Sequence, residues 1–167
     1  FITATILFAF LNHIDAQVTF TARKDLDVRL VDNNPDPVVY TALDMFIKDY
    51  RTVFSAAVSE STTGQIWVGT VGHAAAIESE ISPDVLVKLS SAHEGFVIQE
   101  KNGRLYILGS DKRGTAYGLL EISRIIGVSP WEWWADVTPE KKDGHVILKD
   151  FSQFQSPSVK YRGVFLN

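Results

Sequence analysis

At 167 residues the chain is long enough for one domain with a proper core, and its 46% hydrophobic and 22% charged residues are typical of a folded globular protein. The formal net charge is −4 and the basic residues are scattered, which argues against a nucleic-acid-binding surface. The absence of cysteine excludes disulfides, thiolate metal sites and a cysteine nucleophile. The four histidines lie far apart without the spacing of metal ligands, so we expect neither a metal nor another cofactor.

The first eleven residues form an apolar run that is too short to span a bilayer. Their position before a polar stretch favours the hydrophobic part of a signal peptide over residues 1–16, cleaved after Ala16. The basic segment that normally precedes such a run is missing, so we expect the sequence to be truncated here. A buried strand is the alternative. The favoured interpretation predicts a secreted or periplasmic protein with no membrane contact in its mature form.

The next segments predict a sheet with a helix over it. Residues 18–20 and 26–31 read as short strands. Asp36 is a good N-cap and Pro37 suits the first helical position. Apolar residues at three- and four-residue spacing then predict a helix that covers the sheet with one face: Val39, Leu43, Phe46, Ile47, Tyr50, Val53 and Phe54.

A strand over residues 65–71 ends in Gly-Thr-Val-Gly, which lacks the spacing of a phosphate-binding loop and is read as a tight strand exit. Weaker helical segments follow near residues 73–80 and 83–90. The clearest local signal is Asn102-Gly103 between two alternating apolar runs, because a type I′ hairpin turn needs positive φ at both positions. This order predicts an α/β (α+β layered) fold with a mixed sheet covered by helices.

The hairpin leads into a helix that Ser110 or Asp111 caps and Gly127 ends, with Pro130 just beyond. Its predicted buried stripe is Ala116, Leu119, Leu120, Ile122, Ile125 and Ile126. Gly114 and Gly118 lie one turn apart and predict close approach of another backbone, which we assign to a following domain. Glu121 is expected to be a solvated helix residue.

Three of the four tryptophans follow within residues 131–136. Their aromatic faces could stack on sugar rings, or they could form a wedge packed between domains, which we favour. Asp136 is best explained by hydrogen bonds that tie this loop, although it stays a candidate for binding.

The last part of the chain divides at a linker. Residues 145–148 predict a strand, residues 152–158 a linker, and residues 159–167 a new strand that opens a second domain. Arg162 on that strand is explained either by an ordinary salt bridge or by contacts with a carboxylate or vicinal hydroxyls. Asn167 would lie near the mouth of a parallel barrel that the strand opens. We expect a signal peptide at 1–16, an α/β domain at 17–155 and the start of a barrel at 156–167.

Residues 109–118 resemble the G-x-D-x-R-G-x-x-Y-G start of a helix in the domain that precedes several glycoside hydrolase barrels, including those of hexosaminidases and α-glucuronidases. Residues 127–137 and 159–167 more particularly resemble glycoside hydrolase family 115, the xylan α-1,2-glucuronidases. The likeness is strong from Gly109 onward. It implies a hexosaminidase-like N-terminal α/β domain followed by the first strand of a truncated (β/α)8 barrel.

The resemblance also implies an inverting hydrolase that removes glucuronic acid or its 4-O-methyl ether from xylan. Arg162 matches an arginine that holds sugar hydroxyls in the hexosaminidases, and no residue here matches a catalytic acid or base. The expected substrate-binding residues are Arg162, Asn167, Trp134 and Asp136. The expected partners are a xylan-type polysaccharide and the chain's own barrel. The alternatives are a stand-alone carbohydrate-binding domain and a structural spacer without catalysis.

Overall fold

One mixed six-stranded sheet organises the part of the chain that the structure describes. The computed structural model describes residues 17–161, except for the side chain of Trp133. The strands are β1 (Val18–Thr21), β2 (Leu26–Leu30), β3 (Val58–Glu60), β4 (Ile66–Thr70), β5 (Phe96–Lys101), β6 (Arg104–Gly109), β7 (His145–Leu148) and β8 (Ser152–Gln155). The helices are α1 (Pro37–Phe54), α2 (Ala75–Glu78), α3 (Pro83–Ser90), α4 (Lys112–Ile125) and α5 (Trp131–Ala135). The predicted signal peptide and residues 162–167 of the predicted barrel strand lie outside the described residues.

The sheet has the strand order β3-β2-β4-β6-β5-β8. Strands β3, β2, β4 and β6 run parallel, whereas β5 is antiparallel to both of its neighbours, β6 and β8. Parallel strands are normally buried on both faces, so a sheet with this order needs helices on each side. The predicted α/β fold with a mixed sheet is confirmed.

The two faces of the sheet carry different helix pairs. Helices α1 and α4 pack together on one face, over a core that includes Phe46, Ile98 and Ile107. Helices α2 and α3 contribute to a second core on the other face, with Val97 and Leu108. Adjacent strand residues fall into different cores because side chains alternate across a sheet.

The hairpin between β5 and β6 has the predicted turn. Asn102 and Gly103 have φ values of +54° and +73°, and Lys101 pairs with Arg104 across the turn. Helix α1 also begins as predicted, since Asp36 Oδ1 accepts a hydrogen bond of 3.1 Å from Val38 N and Pro37 follows the cap.

A second, two-stranded sheet joins sequence-distant parts of the domain. Strand β1 pairs antiparallel with β7, in a register that places Val18 opposite Leu148. Val18, Phe20 and Leu148 are buried in the core under α1. The ring of Phe20 meets that of Tyr50 edge-on at 6.2 Å. Residues 145–148 therefore fix the end of the domain to its beginning.

Two edge strands were not predicted. Strand β3 pairs with β2 at one edge, and the supposed linker over residues 152–158 contains β8, which pairs with β5 at the other edge. The linker prediction was wrong for Ser152–Gln155 because edge-strand pairing, not apolar alternation, orders this polar segment.

Candidate functional site

Helix α4 is anchored at its N-terminus by both predicted cap residues. Asp111 Oδ1 accepts hydrogen bonds from Arg113 N at 3.0 Å and Gly114 N at 2.8 Å, so Asp111 is the N-cap. Its Oδ2 also accepts from Glu94 N at 2.9 Å, and Ser110 Oγ accepts from Gly95 N at 2.9 Å. The two side chains therefore join the start of the helix to the segment that leads into β5.

The glycine stripe of α4 faces its own domain. A Cβ on Gly114 would collide with the carbonyl oxygen of Gly95, and one on Gly118 would lie 2.6 Å from Ile107 Cγ2. The prediction of a close backbone is confirmed at Gly114, but its assignment to a following domain was wrong. The two glycines let α4 lie close to the β5–β6 hairpin.

The tryptophan-rich segment forms the short helix α5, and its two described indoles point outward. Trp131 is 63% exposed and Trp134 is 81% exposed. Asp136, which is also exposed, ends the helix with a left-handed φ of +51°, and its backbone N–H reaches Trp131 O. Asp136 thus stabilises the loop through its backbone. Within the described residues, neither Trp131 nor Trp134 packs between two elements, so the predicted wedge between domains stays a prediction.

A pocket of about 510 Å³ opens beside α5. Ser129 and Pro130, just before α5, line it together with Ser156 and Pro157, just after β8. The remaining lining includes apolar side chains, three acidic ones, and basic or hydroxyl and amide groups: Met45, Phe96, Tyr117, Leu120, Val128, Asp49, Glu94, Glu121, Arg124, Ser123 and Gln155. Helix α5 and the chain that leaves β8 therefore start from the rim of one pocket.

Glu121 in this pocket is buried, contrary to the expectation that it is solvated. It is 8% exposed and accepts two hydrogen bonds from Arg124, at 2.8 and 2.6 Å. Gln153 and Gln155 of β8 also donate to it, at 2.6 and 3.3 Å. Burial alone would raise the pKa of Glu121, but the donors outweigh it and hold the pKa below its ordinary value. Glu121 thus fastens the edge strand β8 to α4.

Asp49 is the second buried acid of the pocket. It lies on the buried face of α1 and is 2% exposed. The carboxyl of Glu132, on α5, and the hydroxyl of Ser123, on α4, approach it. Burial raises the pKa of Asp49, and the neighbouring Glu132 raises it further against the opposing effects of Ser123 and Lys48. The sequence could have indicated that Asp49 lies on the buried face of α1, because it follows Phe46 by three residues and precedes Val53 by four.

A second crevice lies at the carboxyl ends of the parallel strands, where many α/β proteins bind ligands. Its carboxylates are already engaged within the fold. Asp32 Oδ1 accepts from Thr70 N at 3.0 Å, Asp36 caps α1 and pairs with Lys112 at 2.9 Å, and Asp111 caps α4. These side chains complete the two helix starts. The turn after β4 is a strand exit, as predicted, with Gly72 at a φ of +82°.

The predicted substrate-binding residues divide into two groups. Trp134 and Asp136 are exposed and close together at the end of α5, whereas Arg162 and Asn167 lie outside the described residues. Within residues 17–161, no group of three or more His, Asp or Glu side chains could hold a metal ion. In the same range no helix has the length and hydropathy needed to cross a membrane.

No protein-family model and no curated protein matches the chain. A solved structure does match: a 4-O-methyl-α-glucuronidase of glycoside hydrolase family 115 with specificity for decorated arabinogalactans. It aligns with 86% of this chain at 43% identity and a TM-score of 0.75. This chain is a family 115 N-terminal domain. It spans 19% of the length of that relative.

Two more distant structures share the fold of this family 115 domain. The exo-β-N-acetylglucosaminidase of Vibrio harveyi, from glycoside hydrolase family 20, aligns with 89% of the chain at 11% identity and a TM-score of 0.54. The chitobiase of Flavobacterium johnsoniae aligns with 92% at 13% identity and a TM-score of 0.51. The chain spans 18% and 20% of these two proteins. The hexosaminidase-like fold implied by the sequence is confirmed.

Proposed function

We propose that this domain belongs to a secreted glycoside hydrolase that removes glucuronic acid or its 4-O-methyl ether from a plant polysaccharide, with inversion at the anomeric carbon. One observation carries the proposal: 43% identity over 86% of the chain with a family 115 4-O-methyl-α-glucuronidase. The resemblance of residues 109–137 and 159–167 to the same family supports it. Secretion rests on the signal-peptide interpretation of residues 1–16.

The polysaccharide is the open part of this proposal. The sequence resemblance favours xylan as the backbone, whereas the solved relative is specific for decorated arabinogalactans. Both polymers carry the same acidic sugar as a side chain. We propose glucuronoxylan as the substrate and treat arabinogalactan as the competing outcome.

Within that enzyme, we propose that the domain docks on the catalytic barrel through α5 and the neighbouring pocket rim. Five of the exposed large apolar residues lie on α5, just after it, or after β8: Trp131, Trp134, Val137, Val159 and Tyr161. An exposed apolar patch of this kind is typical of an interface. Because the chain leaves β8 at the same rim, a following domain would begin beside the patch.

The intact enzyme tests the activity. Purified full-length protein should release free 4-O-methylglucuronic acid from glucuronoxylan, measured by anion-exchange chromatography. Proton NMR during the first turnovers should show the β-anomer of the released sugar first, as inversion of an α-linkage requires. The 167-residue chain alone should release none. Release only from arabinogalactan would replace the proposed substrate, and release from neither polymer would contradict the proposed activity.

A carbohydrate-binding domain without a catalytic role is the second candidate, and the exposure of Trp131 and Trp134 favours it. It predicts that the 167-residue chain is retarded in an affinity gel containing glucuronoxylan. Trp134→Ala should then abolish the retardation, whereas Ile147→Ala, which truncates an exposed apolar residue on β7, should not. Under the docking proposal the chain migrates unretarded in the same gel.

Arg162 offers a separate test within the intact enzyme. If it holds sugar hydroxyls, Arg162→Ala should raise KM several-fold while the melting temperature stays unchanged. An unchanged KM would assign the residue to a structural salt bridge.

A further inference from the structure

Three buried side-chain oxygens meet where α1, α4 and α5 come together. They are Asp49 Oδ1, Ser123 Oγ and Glu132 Oε2, and each lacks a hydrogen-bond partner of good geometry. Buried polar atoms are almost always paired, so three orphans in one place need an explanation. Two of them belong to carboxylates, which can only accept hydrogen bonds while both are ionised.

The charges around these oxygens do not balance if both acids are ionised. Glu132 has its other oxygen, Oε1, at 2.9 Å from Lys48 Nζ, while Asp49 is only 2% exposed on the buried face of α1. On α4, Arg124 is engaged by Glu121. A buried carboxylate facing a second carboxylate is costly, and two such groups normally hold one proton between them.

We propose that the buried Asp49 carboxyl group keeps its proton and donates it in a hydrogen bond to Glu132, and that this bond holds the tryptophan helix α5 against α1. The protonated Asp49 donates to Glu132 Oε2, which turns two orphan acceptors into one hydrogen bond. Glu132 keeps its ion pair with Lys48 through Oε1. Helix α5 has only five residues, so these contacts of Glu132 have a large share in holding it.

The consequence is a pH-dependent position for the exposed indoles. Burial raises the pKa of Asp49 above its ordinary value. Stability from the protonated form is therefore fully present below the unfolded pKa and is lost as the pH rises through the folded pKa. Above that pH the two carboxylates repel each other, and α5 loses its contact with α1. The other acids lining the pocket are paired with arginines, Glu121 with Arg124 and Glu94 with Arg113.

The experiment is a carboxyl-detected 13C NMR titration of the 167-residue chain. We expect the Asp49 signal to titrate above the range of the other aspartates. Asp49→Asn should abolish this step, because the amide carries the hydrogen-bond donor permanently. Asp44→Asn, which changes an exposed aspartate of the same helix, is the matched control and should leave the Asp49 step in place.

Tryptophan fluorescence supplies the conformational readout. Emission from the chain should change at the pH of the Asp49 step and should become pH-independent in Asp49→Asn. Glu132→Gln gives a second variant if Asp49→Asn does not fold, and it should lower the pH of the Asp49 transition. Titration of Asp49 in the ordinary carboxyl range would overturn the proposal, as would an Asp49→Asn chain that keeps the fluorescence transition. The proposed hydrogen bond between Asp49 and Glu132 lies within this domain, so it does not depend on which substrate the intact enzyme cleaves.

Discussion

Glu121 shows how one residue can join two elements of this domain. Its carboxylate receives donors from α4 and from β8, which among the described strands pairs with β5 alone. Hydrogen bonds to a charged group make a net contribution of about 1.5–3 kcal/mol each. The attachment of β8 therefore depends strongly on this one side chain.

Glu121→Ala should destabilise the chain by about 2 kcal/mol, since Gln153 and Arg124 lose their common acceptor. The pKa of Glu121 is lowered on folding, so its contribution is present above the unfolded value of about 4.3 and is lost as the pH falls through the folded value. Urea unfolding between pH 3 and 7 measures both effects. Glu140→Gln, which neutralises an exposed carboxylate, is the control and should change stability little. Equal stability of Glu121→Ala and wild type at pH 7 would contradict this role.

At the scale of the element, α4 owes its position to small residues where it crosses the hairpin. Gly114 faces the carbonyl oxygen of Gly95, and Gly118 faces Ile107 and Phe96. A methyl group in either place would push the helix off the sheet and disturb the core between α1 and α4. The two glycines thus lower the helix propensity of α4 but allow it to pack closely against the β5–β6 hairpin.

Gly114→Ala should therefore destabilise the chain by about 3 kcal/mol or more, because the obstacle is backbone and cannot rotate away. Gly144→Ala is the matched control, since a Cβ there meets no atom within 4 Å. Its unfolding free energy should stay within about 0.5 kcal/mol of wild type. Chemical denaturation of the two variants compares them directly. Similar unfolding free energies for the two variants would show that α4 can shift without loss of stability.

The elements that the sequence predicted are those specified by local chemistry. Asp36 and Asp111 cap helices with their own side chains, and Asn102-Gly103 adopts a turn that other residues disfavour. Strand β8 could not be found in this way, because its polar residues are ordered by pairing with β5. The same holds for the candidate site. The tryptophans of α5 could be picked out from the sequence, whereas the contact of Asp49 with Glu132 could be found only in the folded structure.

At the scale of the whole molecule, the apolar residues around α5 have a role only if another surface covers them. Trp131 and Trp134 are too exposed to contribute much to the stability of this domain. Docking on a barrel, as proposed above, would bury them. The same indoles then matter to the intact enzyme more than to the isolated chain.

The double variant Trp131→Ala/Trp134→Ala should leave the melting temperature of the 167-residue chain nearly unchanged. In the intact enzyme it should lower that of the catalytic unit by several degrees, because large aromatic side chains dominate interface energies. Calorimetry of both forms makes the comparison, and Ile147→Ala serves as the surface control. An unaltered transition in the intact enzyme would argue that α5 faces solvent there.

The position of β8 has a practical consequence. It covers the side of β5, whose Phe96, Val97 and Ile98 are among the most apolar positions of the sheet. A recombinant version that stops before Ser152 would leave that backbone open to pairing with other copies, and we expect it to form insoluble material. A recombinant version that extends beyond Pro157 keeps β8 paired with β5 and should yield monodisperse protein.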